Sequence, residues 1–338
     1  MYNNKTYKGE RAMDKTKIKY ILKRLGLMMF TLFVIVTMCF ILIRLLPMSM
    51  PEGSNAAQQE AIRLRWEALG YNKPILVQYG IYLKNIFTKW DFGTSWSIDK
   101  LTPVTEVLSS RLLPTVLVNL YSLLFSIPLG FALGIYAAIK KNKWQDQVIS
   151  IVIMLFVSIP SYVYAFLVQY VLYFKLGWIS TPLVYSLSDA GGSYFTFKMF
   201  YSMILPVLAL SFGEIAGLTR FIRAELTETL TSDYMLLART KGLTRGQATA
   251  RHALRNALVP ILPMIIGDFI GILGGSMIIE SIFSIPGVGQ LYMRSIRQLD
   301  FDVFMLDTVF YTFISLLAGI IVDISYGFID PRIRVGER

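Results

Sequence analysis

Charged residues along this 338-residue chain gather in a few short segments, and long apolar stretches run between them. Residues 25–43, 112–139 and 147–174 contain no Asp, Glu, Lys or Arg. Three further stretches are each broken by a single acid: 199–219 by Glu214, 257–279 by Asp268 and 308–328 by Asp323. An α-helix rises about 1.5 Å per residue and the hydrocarbon core of a bilayer is about 30 Å thick, so about 20 apolar residues suffice to cross it. The pattern predicts an all-α integral membrane protein with six spanning helices. The first covers residues 25–46, and the other five belong to a core over 112–330.

The stretch 47–111 is too long for a simple loop and less apolar than its neighbours. "AAQQEAIRLRWEALG" reads as an amphipathic helix stopped by Gly70, and "KPILVQYGIYLKNIF" as a second helix opened by Pro74. A structured region between spans 1 and 2 is therefore expected. Pro128, Pro160 and Pro263 fall within predicted spans, with Gly130, Gly134, Gly267, Gly271, Gly274 and Gly275 nearby. Glycine lets helices approach closely in lipid, and proline kinks them.

Composition agrees with this reading. The chain is 54% hydrophobic and 16% charged, against about 25% charged residues in an average soluble domain. The first apolar run is preceded by basic residues, as in a secretory signal, but it is too long and lacks a small-x-small cleavage site. Cys39, the only cysteine, rules out an intrachain disulfide and a Cys-rich metal site, and reads as a small apolar residue.

Net charge is +11. With the N-terminus in the cytoplasm, the inner segments are the tail 1–24, residues 140–143, the loop 220–255 and the tail 331–338, and they hold 21 of the 33 lysines and arginines. The opposite side, including the extracytoplasmic region 47–111, is close to neutral. The positive-inside rule predicts this asymmetry, so the basic balance calls for no nucleic-acid partner.

Several chemistries are missing from the sequence. There is no GxxxxGK[ST] phosphate loop, no HExxH and no GxSxG. A lone histidine, His252, leaves little for a zinc or serine-hydrolase site. "DFGTSW" (Asp91–Trp96) contains a kinase triplet without the rest of the kinase set. Of the three intramembrane acids, Glu214 and Asp323 are expected near the cytoplasmic ends of their spans, where water or Arg220 satisfies them. Asp268 is nearer mid-span and is the candidate intramembrane polar site.

The most distinctive segment is 233–256. Asp233 is expected to cap a short helix "YMLLART", Gly242 to stop it, and "RGQATARHALRNAL" to form a second helix leading into the fifth span. A glycine elbow between two helices is more than charge balance requires, and it suits docking into a groove on a soluble partner.

These residues carry a family resemblance. "ARTKGL" followed by "RHALRNALVP" resembles the cytoplasmic loop of the membrane-spanning permease subunits of bacterial ABC importers, in the dipeptide/oligopeptide branch. "LTRFIRAEL", "GSMIIESIFSIPGVGQL", "DPRIR", "LGYNKPILVQY", "DFGTSW" and "SIPSY" are similar in the same way. There are two departures: Leu236 and Leu237 stand where many such importers have Glu-Ala, and "LLPMSMPEG" stands where peptide-branch relatives often have Pro-Gly-Asp-Pro.

The resemblance implies a non-catalytic, multi-pass subunit of the bacterial cytoplasmic membrane with both termini inside. It would pair with a second, homologous permease chain, two cytoplasmic ATPase subunits and an extracytoplasmic substrate-binding protein that delivers peptides. It binds no cofactor of its own, and ATP and Mg sit on the ATPases. The expected ATPase-coupling residues are Tyr234, Ala238, Arg239, Lys241 and Gly242. Ala238 and Gly242 would allow close approach, and the basic pair would meet acidic groups. Two rivals stand beside this: a stand-alone ion-coupled carrier or channel that depends on Asp268, and the same permease role for nickel or another small solute. An intramembrane enzyme lacks any nucleophile-base or metal constellation.

Overall fold

Helices dominate the computed structural model, which describes residues 3–329 and the side chains of residues 18–329. The "DPRIR" run, the tail 331–338 and the side chains of the N-terminal tail up to residue 17 lie outside the described residues. Among the described residues the only β-pairing is an isolated antiparallel bridge between Thr94 and Pro103. Five helices are long and apolar enough to cross a membrane, and six if one sharply bent pair counts as a single span.

That bent pair corrects the sequence reading of residues 147–174 as one continuous span. α5 (Trp144–Ser158) and the helix that begins at Ser161 meet at 103°. The cause is local: Pro160 disfavours helical backbone at the residue before it, and Ile159 is extended at φ −93°, ψ 126°. α6 (Ser161–Val168) then widens into a π-helical stretch, Gln169–Lys175. Pro128 has a milder effect and lies within the unbroken α4 (Val104–Ile139). Pro263 occupies the first turn of α12 (Ile261–Gly271), where a missing N–H costs nothing.

Packing separates the chain into two units. The first gathers the chain up to Thr115 with Leu273–Met277 and Pro286–Ile320. Within it, α1 (Asn3–Arg44) starts well before the predicted first span at residue 25. α2 (Ala56–Leu69) is opened by Asn55, whose side chain accepts from Gln58 N–H, and is closed by Gly70 in the left-handed conformation. α3 (Ile75–Lys89) follows Pro74. Phe40 and Val36 of α1 pack with Tyr82 of α3 and with Met305.

The second unit holds Val116–Ile272, Ile278–Ile285 and the chain from Ile321 on. α8 (Ile204–Leu230), which follows the short α7 (Phe197–Ser202), packs against α5, α6 and α4. Two glycines of α4 permit its close approach to α8. A Cβ on Gly130 would meet Leu218 Cβ at 2.8 Å, and one on Gly134 would meet Ile222 Cβ at 2.7 Å. Thr219 Oγ1 donates to the Gly130 carbonyl at 3.3 Å, and Ser122 and Ser211 hydroxyls lie 3.1 Å apart across the same seam. α5 is tied to α8 by Asp146 and Arg223, whose Nη2 is 2.8 Å from Asp146 Oδ2. The remaining helices are α9 (Asp233–Thr240), α10 (Arg245–Ala248), α11 (Leu254–Ala257), α13 (Met277–Ile282), α14 (Val288–Arg297) and α15 (Phe301–Ile329).

Candidate functional site

The basic loop folds as a helical hairpin whose turn explains its sequence spacing. α9 ends with the Gly242 N–H donating to the Arg239 carbonyl at 3.0 Å and the Leu243 N–H to the Ala238 carbonyl at 3.3 Å. This paired closure needs a left-handed residue four positions after the first acceptor, and Gly242 supplies it at φ +91°. Asp233 is corrected from cap to first-turn residue. Ser232 takes the capping position, and the Asp233 carboxylate favours the positive end of the short helix.

The second helix opens with a reciprocal box. Gln247 N–H donates to Thr244 Oγ1 at 3.3 Å, and Thr244 N–H donates to Gln247 Oε1 at 3.1 Å. α10 passes into a π turn at Thr249–Ala253 and then into α11. A buried face carries Ala248, Ala253 and Ala257, spaced five and then four residues apart. The π turn absorbs the extra residue, so Ala253 faces inward and His252 is exposed. Against these alanines pack Met235, Ala238, Ala138 and Leu226.

The five expected coupling residues therefore divide in two. Ala238 is only 7% exposed and serves the close approach of α9 to the alanine face, so its contact lies inside this chain. Tyr234, Arg239, Lys241 and Gly242 are exposed. Beside them Leu236 is 64% exposed and Leu237 55%, the two positions at which the sequence departs from the Glu-Ala of many such importers.

A second candidate lies in the same unit. α4, α8 and α12 enclose a polar cleft of about 210 Å³ lined by Asn119, Ser122, Leu123, Leu210, Glu214, Gly267, Asp268, Gly271 and Ile272. Glu214 was expected close to the end of its span. The helix that carries it, α8, continues through the basic Arg220–Arg223 turn to Leu230, and Glu214 lines this cleft. Asp268 is on the facing wall. Its Oδ2 is enclosed and has no hydrogen-bond partner among the described residues. Sequence reading took the two acids separately, and their meeting is a product of helix packing.

The first unit contains a third polar cluster that the sequence did not announce. Asp300 accepts from Ser95 Oγ at 2.7 Å and from the backbone N–H groups of Trp96, Ser97 and Ile98 at 2.9–3.1 Å. Asp302 pairs with Arg44 Nη2 at 3.1 Å and accepts from Thr94 N–H and Trp96 Nε1. The Arg44 guanidinium lies 4.0 Å from the Tyr71 ring centroid. Burial pushes the Tyr71 hydroxyl far above its ordinary range, and the Asp302 charge adds to that. Gly93 is needed here because a Cβ would fall 2.5 Å from Asp302 Oδ2, and its φ is +114°. "DFGTSW" is thus a loop built around two distant acids.

With five helices long and apolar enough to cross a membrane among the described residues, or six with the bent pair as one, the chain is of the polytopic membrane class. Comparison with known proteins makes this specific. Residues 130–335 match the family described as binding-protein-dependent transport system inner membrane component, and residues 17–117 match its N-terminal companion family. The chain is 37% identical over 318 residues to the dipeptide transport system permease protein of Lactococcus lactis subsp. cremoris, covering 94% of this chain and 100% of that one. It is 34% identical to the oligopeptide transport system permease protein of Haemophilus influenzae (94% and 99% covered) and 31% identical to the glutathione transport system permease protein of Salmonella choleraesuis (94% and 99%). The chain belongs to this family of ABC-transport permeases.

Proposed function

We propose that this chain is one of the two permease subunits of an ATP-driven importer of peptides, and that the 233–256 hairpin is where the motor pushes. The observation that carries the reading is the hairpin's division of labour. An alanine-lined interior makes it a rigid lever, while Tyr234, Leu236, Leu237, Arg239 and Lys241 project from it. The peptide class rests on the names of the relatives, which act on dipeptides, oligopeptides and glutathione.

In this reading the chain binds no nucleotide. ATP and Mg are held by two cytoplasmic ATPase subunits, and an external binding protein delivers the solute to a pathway shared with a second, homologous permease. Both termini face the cytoplasm, and the 47–111 region lies outside. ATPase closure moves the hairpin as a body, and the α4–α8 pairing carries that motion to the acidic cleft between α4, α8 and α12.

Gly242→Trp tests the lever. Among the described residues, chain neighbours aside, nothing lies within 4 Å of the place where a Cβ at position 242 would stand, so a side chain there starts into open space. Gly242→Ala carries the backbone strain of a left-handed residue, about 1–2 kcal/mol, without the bulk. Normal membrane levels with ATP-dependent uptake of labelled dipeptide abolished in Trp and retained in Ala are expected. Normal uptake in the Trp variant would remove the hairpin from the mechanism. Purification without any ATPase partner would remove the importer reading itself.

A further inference from the structure

The first unit contains two clefts that share part of their lining, one apolar and one that carries an ion pair. One, about 520 Å³, is almost wholly apolar. It runs among α1, α3, α4 and α15, with Phe33, Leu112 and Phe313 on its walls. The other, about 580 Å³, is mixed: Arg65, Asp91 and Thr94 stand in it among apolar neighbours such as Leu101 and Pro103. Both volumes fall within the range of about 300–1,000 Å³ typical of small-ligand sites. Trp90, Phe92 and Thr105 line both clefts and so join them.

Their junction has the chemistry of a membrane surface. Trp90 is 74% exposed and is held outward by a left-handed turn at φ 55° that ends α3. Tryptophan is the residue of the bilayer interface. Phe87, one turn earlier, is 81% exposed. α3 is too short to cross a membrane, and its exposed apolar residues suit a helix lying along the interface. Three of the four walls of the apolar cleft are helices of spanning length, so the cleft is continuous with the lipid-facing surface.

We infer that this paired cleft binds one zwitterionic glycerophospholipid, with an acyl chain in the apolar part and the head group beside the ion pair. The head-group preference follows from charge complementarity. Arg65 and Asp91 stand 2.7 Å apart in the mixed cleft, both partly exposed. A phosphate beside the guanidinium and an ammonium beside the carboxylate match that dipole, whereas a purely anionic head group would leave Asp91 opposed to like charge. The bound lipid would fix α3 against α1 and α4.

The test uses the whole importer complex, extracted and then washed with detergent, with retained phospholipid identified by native mass spectrometry. Ser109 is exposed on the apolar wall and bonds only within its own turn, so Ser109→Trp fills the cleft from outside without entering the core. The wild-type complex is expected to retain a zwitterionic phospholipid, and Ser109→Trp to lower its occupancy about tenfold, equivalent to about 1.4 kcal/mol. Reconstitution with phosphatidylethanolamine vesicles should restore the wild-type occupancy, and phosphatidylglycerol vesicles should not. Equal retention by both proteins, preference for the anionic lipid, or a cross-link from Phe33→Cys to the companion permease would each overturn the inference, the last by naming a protein helix as the occupant.

Discussion

Asp300 and Asp302 are surrounded by donors, whereas Glu214 and Asp268 line a cleft and one Asp268 oxygen is enclosed without a partner among the described residues. Both pairs of acids belong to helical, largely apolar surroundings. The cost of taking a carboxylate from water is offset in the first case by an arginine, a serine and a set of backbone N–H groups. In the second it is not offset within the chain in the same way. The first arrangement fixes a loop to two helices over more than 200 residues of sequence. The second leaves a carboxylate oxygen, unpartnered among the described residues, beside a cleft where helices meet.

The strongest break of this contrast is Asp302→Ala. It leaves the Arg44 guanidinium buried and facing only Tyr71, Phe40 and the Met48 sulfur. Removing one partner of a buried pair costs about 3–5 kcal/mol. The expected outcome is a large drop in the melting temperature of the purified protein, with Asp302→Asn intermediate. An unchanged melt would show that the cluster does not hold the first unit together.

Next in size is the α4–α8 seam, which forms two walls of the acidic cleft. Gly134→Leu would drive a side chain into Ile222 and the Thr219 carbonyl, which already stand 2.7 and 3.0 Å from the first added carbon. Overpacking of this kind costs about 1–3 kcal/mol. Melting should fall, and on the proposed coupling, in which the seam carries the lever's motion, ATP-dependent uptake should fall further than the melt alone explains. Loss of stability with uptake intact would mean that the cleft walls do not transmit it.

These contrasts were unevenly visible in the sequence. Apolar runs reveal spans because the bilayer imposes a length, and Gly242 reveals a turn because few other residues adopt its φ. Gly70 did the same for α2. The 103° break at Pro160 was hidden, because hydropathy continues unchanged across it. The length of α8 was hidden for a related reason: it remains helical after it ceases to be apolar, so the end of the oily run was not the end of the helix. Ala248 and Ala253 show another gap, since a π turn shifts the register between them and no periodicity rule anticipates it. The Asp300–Ser95 contact was beyond reach, because its partners are 205 residues apart and each is unremarkable alone.

A smaller effect tests whether exposed acids of the first unit share the locking role. Burial alone would raise the Asp91 carboxyl, but hydrogen bonds from Arg65 and the Gly93 N–H, with the nearby Arg65 and Lys89 charges, hold it below the ordinary aspartate range. A depressed native value means that the unfolded chain takes up the proton first. The stabilisation is therefore complete above the ordinary aspartate value of about 3.9 and is lost as pH falls through the native one. The pair is partly solvated, so about 1 kcal/mol or less is at stake. Asp91→Asn should lower the melt slightly at neutral pH and remove that part of its decline in acid.

The smallest expected stability change decides the most about mechanism. In Asp268→Asn the amide is easier to take out of water than a carboxylate and keeps the same shape. The melt should move by about 0.5 kcal/mol or less, in contrast with Asp302→Ala. If the motor is borrowed and the hairpin is the lever, uptake remains ATP-dependent in this variant and insensitive to a collapsed ion gradient. If Asp268 instead couples solute to an ion, uptake fails while the melt stays where it was, and ATP becomes dispensable in the wild-type protein. Measuring melt and uptake on the same preparations separates an acid that holds the fold from an acid that serves the passage.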